Sequence, residues 1–87
     1  MIIVKQKFLM KKELKLKLPV GTKILSVSVS NRVLSVFTLS PLVEEFEDRV
    51  IHSYKTGSET GRSALLRFIS TAIDGVNEYH IFEYLGK

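Results

Sequence analysis

Residues 23–38, KILSVSVSNRVLSVFT, alternate polar and aliphatic side chains on both sides of one Asn-Arg pair. A period of two is typical of a strand with one buried face. Asn31 tolerates the left-handed backbone conformation that a two-residue hairpin loop requires. We therefore predict an antiparallel hairpin whose loop is Asn31-Arg32.

This loop also predicts the register of the hairpin, because it decides which residues face each other. The pairs on one side are Val29 with Leu34, Val27 with Val36, and Leu25 with Thr38. The opposite side carries Ser26, Ser28, Ser30, Val33, Ser35 and Phe37. A slip by one residue would move the aliphatic side chains to the solvent face, so the register is well specified.

Size and composition predict one globular domain over residues 1–87. The chain has 87 residues, of which 45% are hydrophobic and 25% are charged; this is too short for two cores and too apolar for disorder. It has no cysteine, which excludes disulfides, thiolate zinc sites and a thiol nucleophile. The longest apolar runs fall far below a membrane span, and lysines interrupt the N-terminal MIIVKQKFLMKK, so we expect neither a membrane segment nor a signal peptide. The expected location is the cytoplasm.

Two more strands are expected before the hairpin. Residues 2–9 alternate loosely and residues 13–18 alternate cleanly, with lysines on the wet face of each. We expect a turn near residues 10–12 to join them, and a type I turn at Leu18-Pro19-Val20-Gly21. Pro41 cannot donate to a sheet, so the second hairpin strand should end near Ser40.

The second half of the chain is less regular. Residues 43–48 fit either a short helical turn or a charged edge strand, and residues 49–55 read as strand. TGSETGRS is a loop, although residues 58–65 could open a short helix instead. LLRFISTAI, Asp74-Gly75 and EYHIFEY then predict a closing hairpin, and several loop lengths around Asp74 fit its pattern.

These elements predict a mainly β fold: a small antiparallel sheet of five to six strands in consecutive hairpins, barrel-like or sandwich-like, with at most one short helix. Strand alternation also predicts which side chains form the core. They are Leu14, Leu16, Leu25, Val27, Val29, Leu34 and Val36.

Charge is unevenly distributed along a chain whose net charge is +4. Seven lysines in the first 23 residues are opposed there by Glu13 alone. The lysines expected on exposed strand faces are Lys5, Lys7, Lys15 and Lys17. They could bind nucleic acid phosphates, but Phe8 lies on the opposite parity and the lysine face lacks aromatic residues. We favour a solvated role in which the lysines block edge-to-edge aggregation.

A compact acidic run follows in the middle of the chain. Its carboxylates are Glu44, Glu45, Glu47 and Asp48. The run is either a solvated loop or edge, or a docking site for a basic partner. Phe46, which these four residues flank, is expected to face the core.

The sequence offers poor material for catalysis. His52 and His80 are its two imidazoles, and they lie on separate predicted strands with no spacing typical of a metal or acid–base site. We expect each to be a half-buried strand residue whose polar atoms are satisfied. No serine lies in a Gly-x-Ser-x-Gly elbow, and GSETG lacks the lysine of a phosphate loop. We predict no enzymatic activity, no catalytic residue, no metal and no cofactor.

The stretches LPVGTKILSVSVSNRVLSVFTL, YKTG, LLRFISTA and NEYHIFEY together resemble a family of small uncharacterised proteins in phage genomes. The resemblance covers about residues 15–84. The matching residues are Leu18, Pro19, Gly21, residues 24–27, Asn31, Thr56, Gly57, Ile69, Thr71, His80, Phe82 and Glu83. One departure is that the family has tryptophan in the strand where this chain has Phe37. The resemblance implies a phage-encoded β domain inside the host cell and carries over no catalytic residue.

Three features favour a protein-interaction module: the small β fold, the expected separation of a basic and an acidic patch, and the resemblance. We expect it to dock on or inhibit a host protein. The alternative is a nucleic-acid-binding protein that uses the basic N-terminal strands. An exposed edge among so few strands also allows a homodimer through strand pairing.

Overall fold

The computed structural model describes residues 1–61 and 63–86. Seven β-strands lie in these residues, which contain no α-helix. The strands are β1 (Ile2–Leu9), β2 (Glu13–Pro19), β3 (Lys23–Ser30), β4 (Val33–Ser40), β5 (Phe46–Lys55), β6 (Leu66–Asp74) and β7 (Asn77–Tyr84). One 3₁₀ turn, Ser63–Leu65, precedes β6. The predicted mainly β class is confirmed, whereas the predicted number of five to six strands is too low.

The strands form two antiparallel sheets, ordered β1-β4-β3 and β2-β5-β7-β6. The predicted order of consecutive hairpins is therefore wrong for β1 and β2, whereas the β3–β4 and β6–β7 hairpins are confirmed. Two separate sheets agree with the sandwich-like alternative of the prediction. Within the described residues β1 pairs with β4 and β2 pairs with β5, because residues 10–12 carry the chain from one sheet to the other. This crossing lets each sheet bury its apolar face against the other, and in the part described the sheets do not close into a barrel.

The first hairpin has the predicted loop. Asn31 and Arg32 both adopt left-handed backbone conformations, with φ of 51° and 64°, as a two-residue type I′ turn requires. Two of the predicted pairs are also present, Val29 with Leu34 and Val27 with Val36. Local alternation and turn chemistry therefore specify this half of the register.

Beyond Ser26, which faces Phe37 as the predicted register requires, that register is wrong. A β-bulge between Ile24 and Ser26 makes Ile24, rather than Leu25, the partner of Thr38. Leu25 consequently points outward, with 43% of its surface exposed. A bulge adds one residue to one strand, which reverses the alternation at that point.

The inner faces of the two sheets pack into one core cluster. Its buried members are Val27, Val29, Leu34 and Val36 from one sheet, and Leu14, Leu16, Leu18, Ile51, Ala72 and Ile81 from the other. The predicted core is confirmed except for Leu25. The prediction missed Leu18, Ile51, Ala72 and Ile81. Ile51 and Ile81 lie on β5 and β7, the two central strands of their sheet.

The structure specifies two turns that the sequence left inexact, the β2–β3 turn and the β6–β7 turn. The Thr22 amide donates to the Pro19 carbonyl (3.0 Å), and Gly21 has φ of 86°. The predicted type I turn is therefore wrong. The turn begins at Pro19, one residue later than predicted, and Gly21 occupies the position where a type II turn needs positive φ. In the last hairpin Asp74 pairs with Asn77, which establishes a two-residue loop.

The two ambiguous segments are also resolved where the structure describes them. Strand β5 begins at Phe46, so Glu47 and Asp48 are in a strand whereas Glu44 and Glu45 precede it. The strand is interior to its sheet rather than an edge. Within 58–65 the 3₁₀ turn is the helical element described; Arg62 lies outside the described residues.

Candidate functional site

The four predicted lysines lie on the two edge strands β1 and β2. Lys5 and Lys7 project from the outer face of the three-stranded sheet, and Lys15 and Lys17 from the outer face of the four-stranded sheet; all four are exposed. A cleft of about 410 Å³ lies between these strands and is lined by Lys7, Lys15 and Lys17. We call this cleft, together with Lys5, the lysine seam. The structure thus brings together lysines that the sequence placed on two separate strands.

The lysine face carries an aromatic residue after all. Lys5 pairs with Phe37 of β4, and its ammonium nitrogen lies 5.5 Å from the centre of the Phe37 ring. This distance is within the range of a cation–π contact. Alternation within β1 alone does not reveal an aromatic residue that a neighbouring strand places on the same face.

The acidic run is not separate from the basic strands. Because β2 pairs with β5, Lys17 lies opposite Asp48, and Lys17 Nζ is 3.7 Å from Asp48 Oδ1. Both side chains are largely exposed, so the pair contributes little to stability. Glu44 and Glu45 are exposed next to this end of the sheet. The expectation of two separated patches is therefore wrong at their common border.

An apolar groove of about 260 Å³ adjoins the lysine seam. It lies between β1 and the segment that enters β5, and its walls include Ile2, Leu42, Val43, Phe46 and Lys17. Phe46 is 59% exposed, so the expectation that it faces the core is wrong. Phe46 is five residues from Ile51, so strand alternation places it with Asp48 on the outer face of the four-stranded sheet; its register partner is Pro19, at the end of β2. In the sequence, the four carboxylates that flank Phe46 were the indication that its side chain is exposed.

The largest cleft described, about 790 Å³, reaches a buried ion pair that the sequence analysis did not identify. Arg49 donates from Nε and Nη2 to the two carboxylate oxygens of Glu83, the second at 3.0 Å. Its Nη1 donates to the Thr22 carbonyl at 2.8 Å. The hydrogen bond to Glu83 raises the pKa of Arg49; burial opposes this, and the charges of Glu83 and Glu47 add to it. In the sequence, the indication of this ion pair was Glu83, a carboxylate at a position of β7 that faces inward.

Comparison with known families gives one match. The family described as a domain of unknown function, DUF7352, matches residues 1–86. The chain belongs to this family. The resemblance to a family of uncharacterised proteins is thereby confirmed at this level, and the match extends beyond residues 15–84. Neither the curated proteins nor the solved structures that were searched contain a match.

In this DUF7352 domain both histidines are half buried and hydrogen-bonded, as predicted. His52 Nδ1 lies 2.8 Å from the Tyr54 hydroxyl, and its ring stacks on Tyr84 with centroids 4.7 Å apart. Its Nε2 is 3.6 Å from Glu13 Oε2, which is longer than a hydrogen bond. Burial raises the pKa of Tyr54, and the charges of Glu13 and Tyr84 raise it further.

The second imidazole contacts hydroxyl groups. His80 Nε2 lies 2.7 Å from Thr56 Oγ1, and Nδ1 lies 3.1 Å from Thr71 Oγ1. Neither histidine is among the side chains that line the largest cleft. The absence of enzymatic activity stays a prediction. No helix in residues 1–61 and 63–86 has the length and apolar character to cross a membrane.

Proposed function

We propose that this DUF7352 domain is a phage-encoded protein-interaction module that docks on a host protein in the cytoplasm. The partner contributes an extended segment, which adds to the free edge of β1 and lies along the lysine seam and the apolar groove. The phage origin and the host partner rest on the sequence resemblance. The structural observation that carries the proposal is an edge strand beside an apolar groove.

The backbone of β1 is suited to strand addition. In the described residues β1 is hydrogen-bonded to β4 alone, so its other edge presents peptide N–H and C=O groups. An extended peptide can pair with such an edge and gain affinity from main-chain hydrogen bonds. Lys5 and Lys7 on this strand discourage indiscriminate pairing between copies, while they favour a partner of opposite charge.

The side chains around this edge predict the chemistry of the partner. Ile2 and Phe46 offer exposed apolar surface in the groove, and the lysines of the seam form a basic rim. The matching segment alternates apolar residues, which enter the groove, with aspartate or glutamate, which meets the lysines. Complementary charge mainly accelerates association and rejects wrong partners, whereas the buried aromatic anchor dominates affinity.

A pull-down from host lysate with matched variants tests this proposal. Phe46→Ser should lose the captured protein, because removal of an aromatic anchor costs about 2 kcal/mol or more, roughly thirtyfold in affinity. Phe68→Ser is the control, since Phe68 is 57% exposed against 59% for Phe46 but does not line the groove. Lys7→Glu with Lys15→Glu should also weaken capture, and nuclease should have no effect. Equal capture by Phe46→Ser and wild type would reject the proposed surface.

Nucleic-acid binding is the second candidate, and the contact of Lys5 with Phe37 favours it. Exposed aromatic rings beside cations are typical of surfaces that bind single strands. Binding of a generic oligonucleotide should then fall steeply between low and physiological salt, and Phe37→Ser should weaken it. Lack of binding at low salt would exclude this candidate. A homodimer through β1 is the third arrangement, and sedimentation velocity over a concentration series would detect it.

A further inference from the structure

A second cleft, of about 370 Å³, lies at one end of the sandwich, and we call it the turn-end cleft. The β1–β2 connection, the β3–β4 turn, the end of β5 and the start of β7 converge there. Four cationic side chains line it: Lys11, Lys12, Arg32 and Lys55. No aspartate or glutamate is among its described lining residues. The four cations are exposed to solvent, and the Asp74 carboxylate, which accepts a hydrogen bond from the Arg32 amide, offsets only part of their charge. A bound anion would neutralise the positive potential that remains.

Backbone hydrogen bonds hold the walls of this cleft together. The Met10 amide donates to the Arg32 carbonyl (2.8 Å), and the Ser53 amide donates to the Lys12 carbonyl (2.9 Å). These bonds join segments that are distant in sequence, so the backbone that carries Lys12 and Arg32 is fixed before any ligand arrives. A site organised in this way loses less conformational entropy on binding than a flexible tail would.

One further side chain, Ser53, suits an oxyanion, and an aromatic ring lies near one of the four cations. Ser53 lines the cleft and is only 6% exposed, and its hydroxyl has no hydrogen-bond partner among the described residues. A buried hydroxyl without a partner is costly, and an oxyanion bound in the cleft would accept the hydrogen bond that this hydroxyl can donate. Lys55 is held near the Tyr79 ring, 5.9 Å from its centre, which restrains its position.

We infer that the turn-end cleft binds a small molecule carrying a di- or triphosphate group. Phosphate chains of this length carry about three to four negative charges at neutral pH, which matches the four cations. The cleft volume is within the range of pockets for small ligands. Free nucleotides and inorganic polyphosphates share this chemistry. The site is separate from the lysine seam and does not rest on the proposed docking function.

Isothermal titration calorimetry at fixed ionic strength tests the inference, with pyrophosphate, ADP, adenosine and sulfate as ligands. Pyrophosphate and ADP should bind at one site per chain, whereas adenosine should not bind. A tighter affinity for ADP than for pyrophosphate would identify a nucleotide as the ligand class, and equal affinities would identify the phosphate chain alone. If neither binds at millimolar concentration, or if sulfate binds as tightly, the inference is wrong.

Arg32→Gly separates binding from folding. Arg32 has φ of 64°, a conformation that glycine adopts at less cost, so this variant should fold at least as well as wild type. Its affinity for pyrophosphate should fall at least tenfold, and Lys55→Gln should act in the same direction. Lys23→Gln is the control, because Lys23 is an exposed lysine outside the cleft. An equal loss in Lys23→Gln would show non-specific charge attraction and overturn the assignment.

Discussion

The guanidinium of Arg49 and the carboxylate of Glu83 form a two-point hydrogen-bonded ion pair across the adjacent strands β5 and β7. Glu83 is only 5% exposed, and Arg49 donates both hydrogen bonds that its carboxylate accepts among the described residues. Arg49 also reaches the Thr22 carbonyl, which attaches the β2–β3 turn to the centre of the four-stranded sheet. The pair therefore stabilises the end of the sandwich that carries the apolar groove.

Removal of Arg49 alone should be strongly destabilising. Arg49→Met leaves the Glu83 carboxylate buried and unpaired, which we expect to lower the free energy of unfolding by about 3 kcal/mol. The double variant Arg49→Met with Glu83→Leu should recover most of this loss, because no buried charge remains. Urea denaturation of both variants measures the difference. A double variant as unstable as the single one would contradict the assignment.

Asp74 links the two hairpin loops. Its carboxylate oxygens accept hydrogen bonds from the amides of Asn31 (3.1 Å) and Arg32 (3.0 Å). Asp74→Ala should lower the free energy of unfolding by about 1 kcal/mol, since the contacts are exposed to solvent. Hydrogen exchange at these two amides should accelerate in the variant. Glu78→Ala in the same hairpin is the control, and it should leave exchange at residues 31 and 32 unchanged.

The bulge in β3 predicts unequal effects of neighbouring aliphatic truncations. Val27→Ala should lower the free energy of unfolding by about 2 kcal/mol, because Val27 is buried in the core and its loss leaves a cavity. Leu25→Ala removes more atoms but should cost less than about 1 kcal/mol, since Leu25 points outward. Thermal or urea unfolding of the pair decides between the bulged and the regular register. A larger loss of stability in Leu25→Ala than in Val27→Ala would support the regular register.

Ser53→Ala should stabilise the protein in the absence of anions. It removes a buried hydroxyl that has no partner in the described part of the chain, and such a group costs about 1–3 kcal/mol. We expect the midpoint of urea unfolding to rise. In pyrophosphate the advantage should shrink, because the ligand can bond to the wild-type hydroxyl. A fall in stability without anion would mean that the hydroxyl already has a partner.

Tyr54 should make stability depend on alkaline pH. Burial raises its pKa above the ordinary value of 10.0, so the folded state keeps the phenolic proton where the unfolded chain loses it. This contribution is fully present below about pH 10 and is lost as the pH rises through the folded-state pKa. Tyr54→Phe should therefore flatten the decline of stability above pH 10. Ultraviolet titration should show that one late tyrosine ionisation disappears with the variant.

Local patterns in the sequence determined the parts of this fold that depend on near neighbours. Asn31-Arg32 selected a two-residue loop, and the alternation around it specified the pairs from Val29 to Val36. Glu13 to Leu18 alternates in the same way, and its leucines are buried while its lysines are exposed. Side-chain parity and turn conformation are properties of adjacent residues, so a single sequence reveals them.

Only the tertiary structure decided which strands pair and which side chains meet. Strands β1 and β2 separate into different sheets because each must cover an apolar face, and that choice depends on β4 and β5 far along the chain. Strand pairing also places three pairs of side chains together: Phe37 beside Lys5, Asp48 beside Lys17, and Glu83 beside Arg49. The candidate lysines could therefore be predicted from the sequence. The lysine seam, the apolar groove and the turn-end cleft could not, because they consist of contacts between segments distant in sequence.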